Sequence, residues 1–306
     1  MDYDLYHDES QEGGYWHGIL LVPRINRGKF LDSLELIRKK VNYRHPIAFG
    51  GLKRKGSKFD CIRPCLQLCV GSFMQYYKNE PYIISTGKRI YSIDDTRQSV
   101  DYKKILVINS NKKIIGSRFI LFRERDAHTK VGSGYPDFTS KIETTFRMGL
   151  LGGIHYLGDK DSPIHIKSIH FDGHEHHRRN IDKKRIIDRI YSLRDYCSFD
   201  KDVLIDDKTS KHNKSNSQEY NDCQFLQLTD ILIGAFRTIL DSAKNDIQKE
   251  VSFPVKEIVN KQQIGYKRMK NSRWFGSFCM SECWIENDKW NFGNFKPKKN
   301  KQIKLL

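Results

Sequence analysis

Three aspartates stand where their surroundings could turn them into ligands or catalysts. Asp8 ends a short alternating run in DYDLYHDES (2–10). Asp172 ends PIHIKSIHFD (163–172), directly before Gly173. Asp230 interrupts CQFLQLTDILIGAFRTIL (223–240), a segment otherwise almost wholly apolar. An acid in such a helix is costly to bury unless it is paired or holds a cation. Gln227, Asp230, Gly234 and Arg237 follow one another at intervals of 3, 4 and 3, so they share one helical face. Each acid also has a plain reading. Asp8 suits a hairpin shoulder and Asp172 a solvated turn. Asp230 could pair with Arg237, although that spacing exceeds a standard helix pair. Brought together, three carboxylates would be hard oxygen ligands of the kind that favours Mg²⁺ or Mn²⁺. Two such ions activate water and stabilise the leaving oxygen in phosphodiester cleavage. Asp8, Asp172 and Asp230 are therefore the expected catalytic and metal-binding residues.

Strand geometry separates Asp8 from its neighbour. Side chains alternate faces along a strand, so Asp8 goes with Tyr6 and Asp4, and Glu9 with His7, unless the strand bulges. Glu9 joins the metal set only in the bulged case. His170, His174, His176 and His177 could ligate metal or contact phosphate, although most surface histidines in a basic stretch do neither. Cys61, Cys65 and Cys69 recur every four residues, as do Cys279 and Cys283. Zinc sites more often use a two-residue gap, whereas four-residue spacing lines thiols along a buried helix face. No zinc site is expected, and the seven cysteines read as reduced thiols.

The formal net charge is +17, and the excess is clustered. GLKRKGSK (51–58), HHRRNIDKKR (176–185), YKRMKNSR (266–273) and the tail FKPKKNKQIKLL (295–306) carry the runs. Such a field attracts polyanions, and nucleic acid is the expected partner over a merely solvated surface. Lys53, Arg54, Lys55, Arg178, Arg179 and Arg237 are the candidate contacts. Trp274, Phe275, Trp284, Trp290, Phe292 and Phe295 could stack on bases or form a C-terminal core. No apolar run is long enough to span a bilayer, so no membrane partner is expected. The acidic start MDYDLYHDES is not a secretory signal, and the expected location is the cytoplasm.

The elements that must position these acids follow from periodicity. Strands are expected at 3–8 and 15–22, and a helix over 28–41. Residues 42–60 read as a loop or hairpin, and 61–77 as a helix with Pro64 in its first turn. Residues 103–124 read as two strands around an Asn-Ser-Asn turn. Ser140 and Glu143 fit a capping box opening a helix to 157. A strand at 163–172, an amphipathic helix over 180–197, a strand at 202–207, a polar loop over 208–222 and the helix 223–240 complete the pattern. The final dozen residues read as low in complexity. A meander followed by alternating helices and strands gives an α/β fold with a mixed sheet flanked by helices. This order is that of ribonuclease H-like folds, with an insertion at about 42–102. The expected organisation is a domain over 1–240 and a basic, aromatic extension over 241–306.

These residues resemble those of the domain of unknown function 3800 family, a mostly bacterial group. Its members open with an Asp-Glu-Ser-Gly strand end, matched by Asp8-Glu9-Ser10-Gln11, and carry a late Gln-Leu-Ala-Asp helix, matched by Gln227-Leu228-Thr229-Asp230. A strand-end Asp is matched by Asp172, and a Ser-x-Glu element by Ser217 and Glu219. The resemblance spans roughly 3–240. It implies a ribonuclease H-like fold, metal-dependent nuclease activity with two ions, supporting roles for Ser10, Gln227 and Glu219, and a part in anti-phage defence, with other defence proteins or a second copy as partners. Gln11 replaces Gly and Thr229 replaces Ala. The family's Glu-Leu-Lys element has only Gly51-Leu52-Lys53 as a counterpart, so Glu143 or Glu124 would have to supply the missing acid. A relative that binds nucleic acid without cleaving it is the alternative.

Overall fold

The computed structural model describes residues 1–10, 14–73, 82–85, 105–108, 116–125, 138–157, 163–172, 183–190, 197–208, 218–241, 245–263, 276–287 and 289–295. Its elements are β1 (Asp2–Ser10), β2 (Tyr15–Pro23), α1 (Arg27–Val41), α2 (Ser57–Ser72), β3 (Tyr82–Ser85), β4 (Ile105–Ile108), β5 (Arg118–Glu124), α3 (Phe138–Leu157), β6 (Ile164–Asp172), α4 (Lys183–Ile190), β7 (Cys197–Lys208), α5 (Gln218–Leu240), α6 (Asp246–Val251), α7 (Phe253–Gln263), β8 (Phe278–Glu286) and β9 (Lys289–Asn294).

Seven strands form one mixed sheet in the order β7-β6-β1-β2-β5-β8-β9. β1, β2 and β5 make an antiparallel meander, while β6 runs parallel to β1 and β7 parallel to β6. The sheet is buried on both faces because each carries a helical layer. One core joins Tyr6, Trp16 and Leu20 of the sheet to α1, α2, α5, α6 and α7. The other joins Leu5, Ile19 and Ile120 to Phe146, Leu150 and Ile154 of α3. The period-2 alternation of β1 decides which side chain meets which layer. α5 is long and apolar enough to cross a membrane by composition, yet most of it is buried against the sheet and neighbouring helices.

Four expectations need correction. The segment 103–124 is no hairpin: β4 pairs with β3 in a separate two-stranded sheet, and β5 has β2 on one side and β8 on the other, so it offers no free edge to β4. α2 starts at Ser57, which puts Pro64 inside the helix rather than in its first turn. There its missing N–H removes one bond from the ladder, tolerated because α2 is buried along most of its length. α5 begins at Gln218, not 223, because its polar first turns are tied to tertiary partners. Residues beyond 240 add α6, α7 and two strands to the body, β8 continuing the sheet from β5. Of the final dozen low-complexity residues, only Phe295 is among those described.

Candidate functional site

Asp8 and Asp172 reach one place because β1 and β6 are adjacent and parallel. Their register runs His7 against Phe171, which sets Asp8 beside Asp172 at the carboxyl ends of both strands. Open α/β sheets bind ligands at such ends. The third acid comes from α5, which packs directly over β1 and β2. Glycine permits that closeness: a Cβ at Gly18, the cross-strand partner of Asp8, would meet Ile233 of α5 at 2.4 Å. Asp8, Asp172 and Asp230 then repel one another. The Asp8 carboxyl is held well above the ordinary range, first by burial and then by the charges of Asp172 and Asp230. Burial likewise lifts Asp230 to about 6, with Asp172 adding to the rise.

Asp230 is not the partner of Arg237 alone. Its carboxylate accepts a hydrogen bond from the Phe49 amide at 2.7 Å, and Lys58 and Arg237 attract it electrostatically. Arg237 also donates to the Ser10 hydroxyl. Phe49 can stand there because Gly234 has no side chain; a Cβ would meet the Phe49 ring at 2.2 Å. The stripe Gln227-Asp230-Gly234-Arg237 therefore faces one loop. The Gln227 oxygen accepts from the Ile47 amide at 2.9 Å and from Arg38 at 2.8 Å. Gln227 and Asp230 thus fix the two ends of the segment 47–49.

The same loop carries the first basic run. Lys53 and Arg54 are exposed. Lys55 is paired with Glu250 at 2.6 Å, and Lys58 donates to the Gly50 carbonyl at 2.9 Å. Asn245 donates to the Leu52 carbonyl while capping α6. A cavity of about 300 Å³ opens beside Asp230, lined by Ser10, Phe49, Gly50, Arg237 and Gln248 among others. Asp230, Arg237 and the start of that loop at Phe49 and Gly50 thus border one opening.

Behind the acids lies an ionic layer that the sequence did not suggest. Asp4, fully buried, binds Arg24 at 2.7 Å, Arg27 at 3.1 Å and the Ser168 hydroxyl at 2.6 Å. Arg27 also pairs with Asp222 at 2.6 Å, and the Tyr6 hydroxyl donates to Asp222. His170 stacks on Tyr6 and bonds Ser168. Asp4 sits four residues before Asp8 on the same strand face, which is the one available hint. His170 is therefore structural in this arrangement, and His174, His176 and His177 lie outside the described residues.

Glu9 does not join the three aspartates. It shares the opposite face of β1 with His7, beside His17. Glu124 pairs across strands with Tyr15 and is on that face too. Glu143 belongs to α3, which packs on the same far side, and its side chain lies outside the description, as do those of Glu219, Arg178 and Arg179. The missing fourth acid is therefore not supplied by Glu9 or Glu124. Of the aromatic group, Phe295 stacks on Trp16, Trp284 lies under Arg125, and Phe292 is exposed. All seven cysteines are buried free thiols.

The donor set fits a hard divalent cation. It is all oxygen, largely withdrawn from water, and its mutual repulsion is the kind that a bound cation relieves. Comparison of the chain with protein-family models, curated proteins and solved structures finds no match in any of the three.

Proposed function

We propose that the protein is a divalent-metal-dependent nuclease that hydrolyses phosphodiester bonds in RNA or DNA. One observation carries the reading: Asp8, Asp172 and Asp230 converge from two parallel strand ends and a crossing helix, and the charge of Asp172 helps to raise the proton affinity of both Asp8 and Asp230. Acids forced together at this cost are the pattern of a cation site. The strand arrangement, with β6 beside β1 and β7 beyond it, supports a ribonuclease H-like assignment. The motif resemblance to the domain of unknown function 3800 family and to its defence role remains a proposal resting on the quoted residues.

Asp8, Asp172 and Asp230 would hold Mg²⁺ or Mn²⁺. When bound, such ions supply an activated water and neutralise charge at the phosphate. The chain's own residues do the positioning. The Phe49 amide orients the Asp230 carboxylate. Arg237, held by Ser10 at the rim of the cavity, offers a guanidinium to a phosphate oxygen. Lys53 and Arg54 extend the positive field outward from that rim.

The experiment is cleavage of labelled single- and double-stranded RNA and DNA by the wild type and by Asp8→Asn, Asp172→Asn and Asp230→Asn. The reading predicts Mn²⁺- or Mg²⁺-dependent products that each substitution abolishes while the fold persists. Salt-sensitive binding without cleavage in every variant would favour a non-catalytic nucleic-acid-binding subunit instead.

A further inference from the structure

On the other face of the sheet, strand alternation brings together a second set of ligand-type side chains. We propose that His7, His17 and Glu9 form a metal site of nitrogen-rich character, independent of the aspartates, that takes a late first-row divalent ion of the Zn²⁺ class. Candidate ligand atoms of these three residues all lie within 4.8 Å of one another. His7 and His17 are 1% and 0% exposed, and Glu9 is half-buried.

The arrangement follows from register. Glu9 pairs across strands with His17, and His7 sits diagonally from it, so one carboxylate and two imidazoles point to the same side. His7 Nε2 and His17 Nδ1 are 2.8 Å apart. A hydrogen bond between two neutral imidazoles accounts for that distance without a metal. It does not account for the carboxylate beside them. Phe146 and Phe171 lie edge-on to His7, while Tyr15 lies edge-on to His17. They form a dry wall that holds the rings in place.

Two histidines and one glutamate are a donor set of catalytic zinc sites and of open-sided iron sites. Tetrahedral coordination at ordinary Zn–N lengths needs the two nitrogens roughly 3.3 Å apart. The rings must therefore part by about 0.5 Å, a side-chain adjustment rather than a strand movement. The two faces would then select different ions: oxygen-only ligands on one side, imidazole on the other. None of the three aspartates is needed for this site, so it stands or falls apart from the nuclease reading.

The test is titration of the metal-free protein with Co²⁺, read by visible absorption. The expected result is one equivalent giving the intense bands of a low-coordinate ion with imidazole ligands. His17→Gln should lose those bands, and Asp8→Asn and Asp230→Asn should keep them. Because His17→Gln could disturb a buried face, nitrogen hyperfine coupling from Cu²⁺ bound to the wild type provides a second reading. No nitrogen coupling in the wild type, or unchanged Co²⁺ bands in a folded His17→Gln variant, would overturn the proposal and leave a hydrogen-bonded histidine pair.

Discussion

The acids of the candidate site should make the metal-free protein less stable, and Asp230→Asn should relieve this. Asp230 titrates at about 6 in the folded chain against an ordinary value of 3.8. At 1.36 kcal/mol per pKa unit the gap corresponds to about 3 kcal/mol. Asp230 keeps part of its surface on the cavity, which trims the expectation to about 2–3 kcal/mol. The sign follows from proton uptake. Between about pH 4 and 6 the folded state holds a proton that the unfolded state has released, so stability falls as pH rises through that window. Below it the stabilisation is complete; above about pH 7 it is gone. Asp8, raised in the same direction, adds to the fall. Asparagine has no charge to desolvate and can still accept from the Phe49 amide. Urea unfolding of both proteins from pH 4 to 8 should therefore show the variant more stable at neutral pH, with the difference vanishing on acidification. A variant equal to or less stable than the wild type at pH 7, with a gap independent of pH, would refute the picture of crowded, buried acids.

Other outcomes follow from the same geometry. Mn²⁺ or Mg²⁺ at about 100 times its dissociation constant should stabilise the wild type by about 2.7 kcal/mol in thermal unfolding, and Asp8→Asn should lose most of that gain. Gly18→Ala, which drives a methyl into Ile233, should cost about 1–3 kcal/mol and reduce cleavage by displacing Asp230 from Asp8, as unfolding and activity assays would reveal. Arg27→Met should cost about 1.5–3 kcal/mol in urea unfolding, since it removes one of the two guanidiniums on buried Asp4 and the one paired with Asp222. Replacing exposed Lys53 and Arg54 with glutamine should leave the melting temperature unchanged and lower the salt dependence of nucleic-acid binding by about two phosphate contacts.

The face on which Asp8 lies was legible because a strand has period 2 and no bulge intervenes there. The strand-end position of Asp172 and the lone polar stripe of α5 were legible for the same kind of reason: local periodicity exposes an acid out of place. What stayed hidden is long-range. Asp222 looks like part of a polar loop, QEYND, until Arg27, 195 residues away, is seen against it. The role of Gln227 as a clamp on residue 47, and of Phe49 as the donor to Asp230, depends on a loop whose composition reads only as basic and glycine-rich. The ILVI segment reads as the hairpin partner of 118–124 because its turn signal is local, while occupation of both sides of β5 is set by β8, more than 150 residues later. The His7, His17 and Glu9 cluster combines two separate strands, and neither strand alone carries a ligand motif.

The measurement closest to the central claim is divalent-metal-dependent cleavage of a labelled oligonucleotide by the wild type beside Asp8→Asn, with both proteins shown to be folded. The account predicts products from the wild type only in the presence of Mn²⁺ or Mg²⁺, and none from the variant. Equal cleavage by the two proteins, or none by the wild type with either ion on RNA and DNA alike, would contradict it.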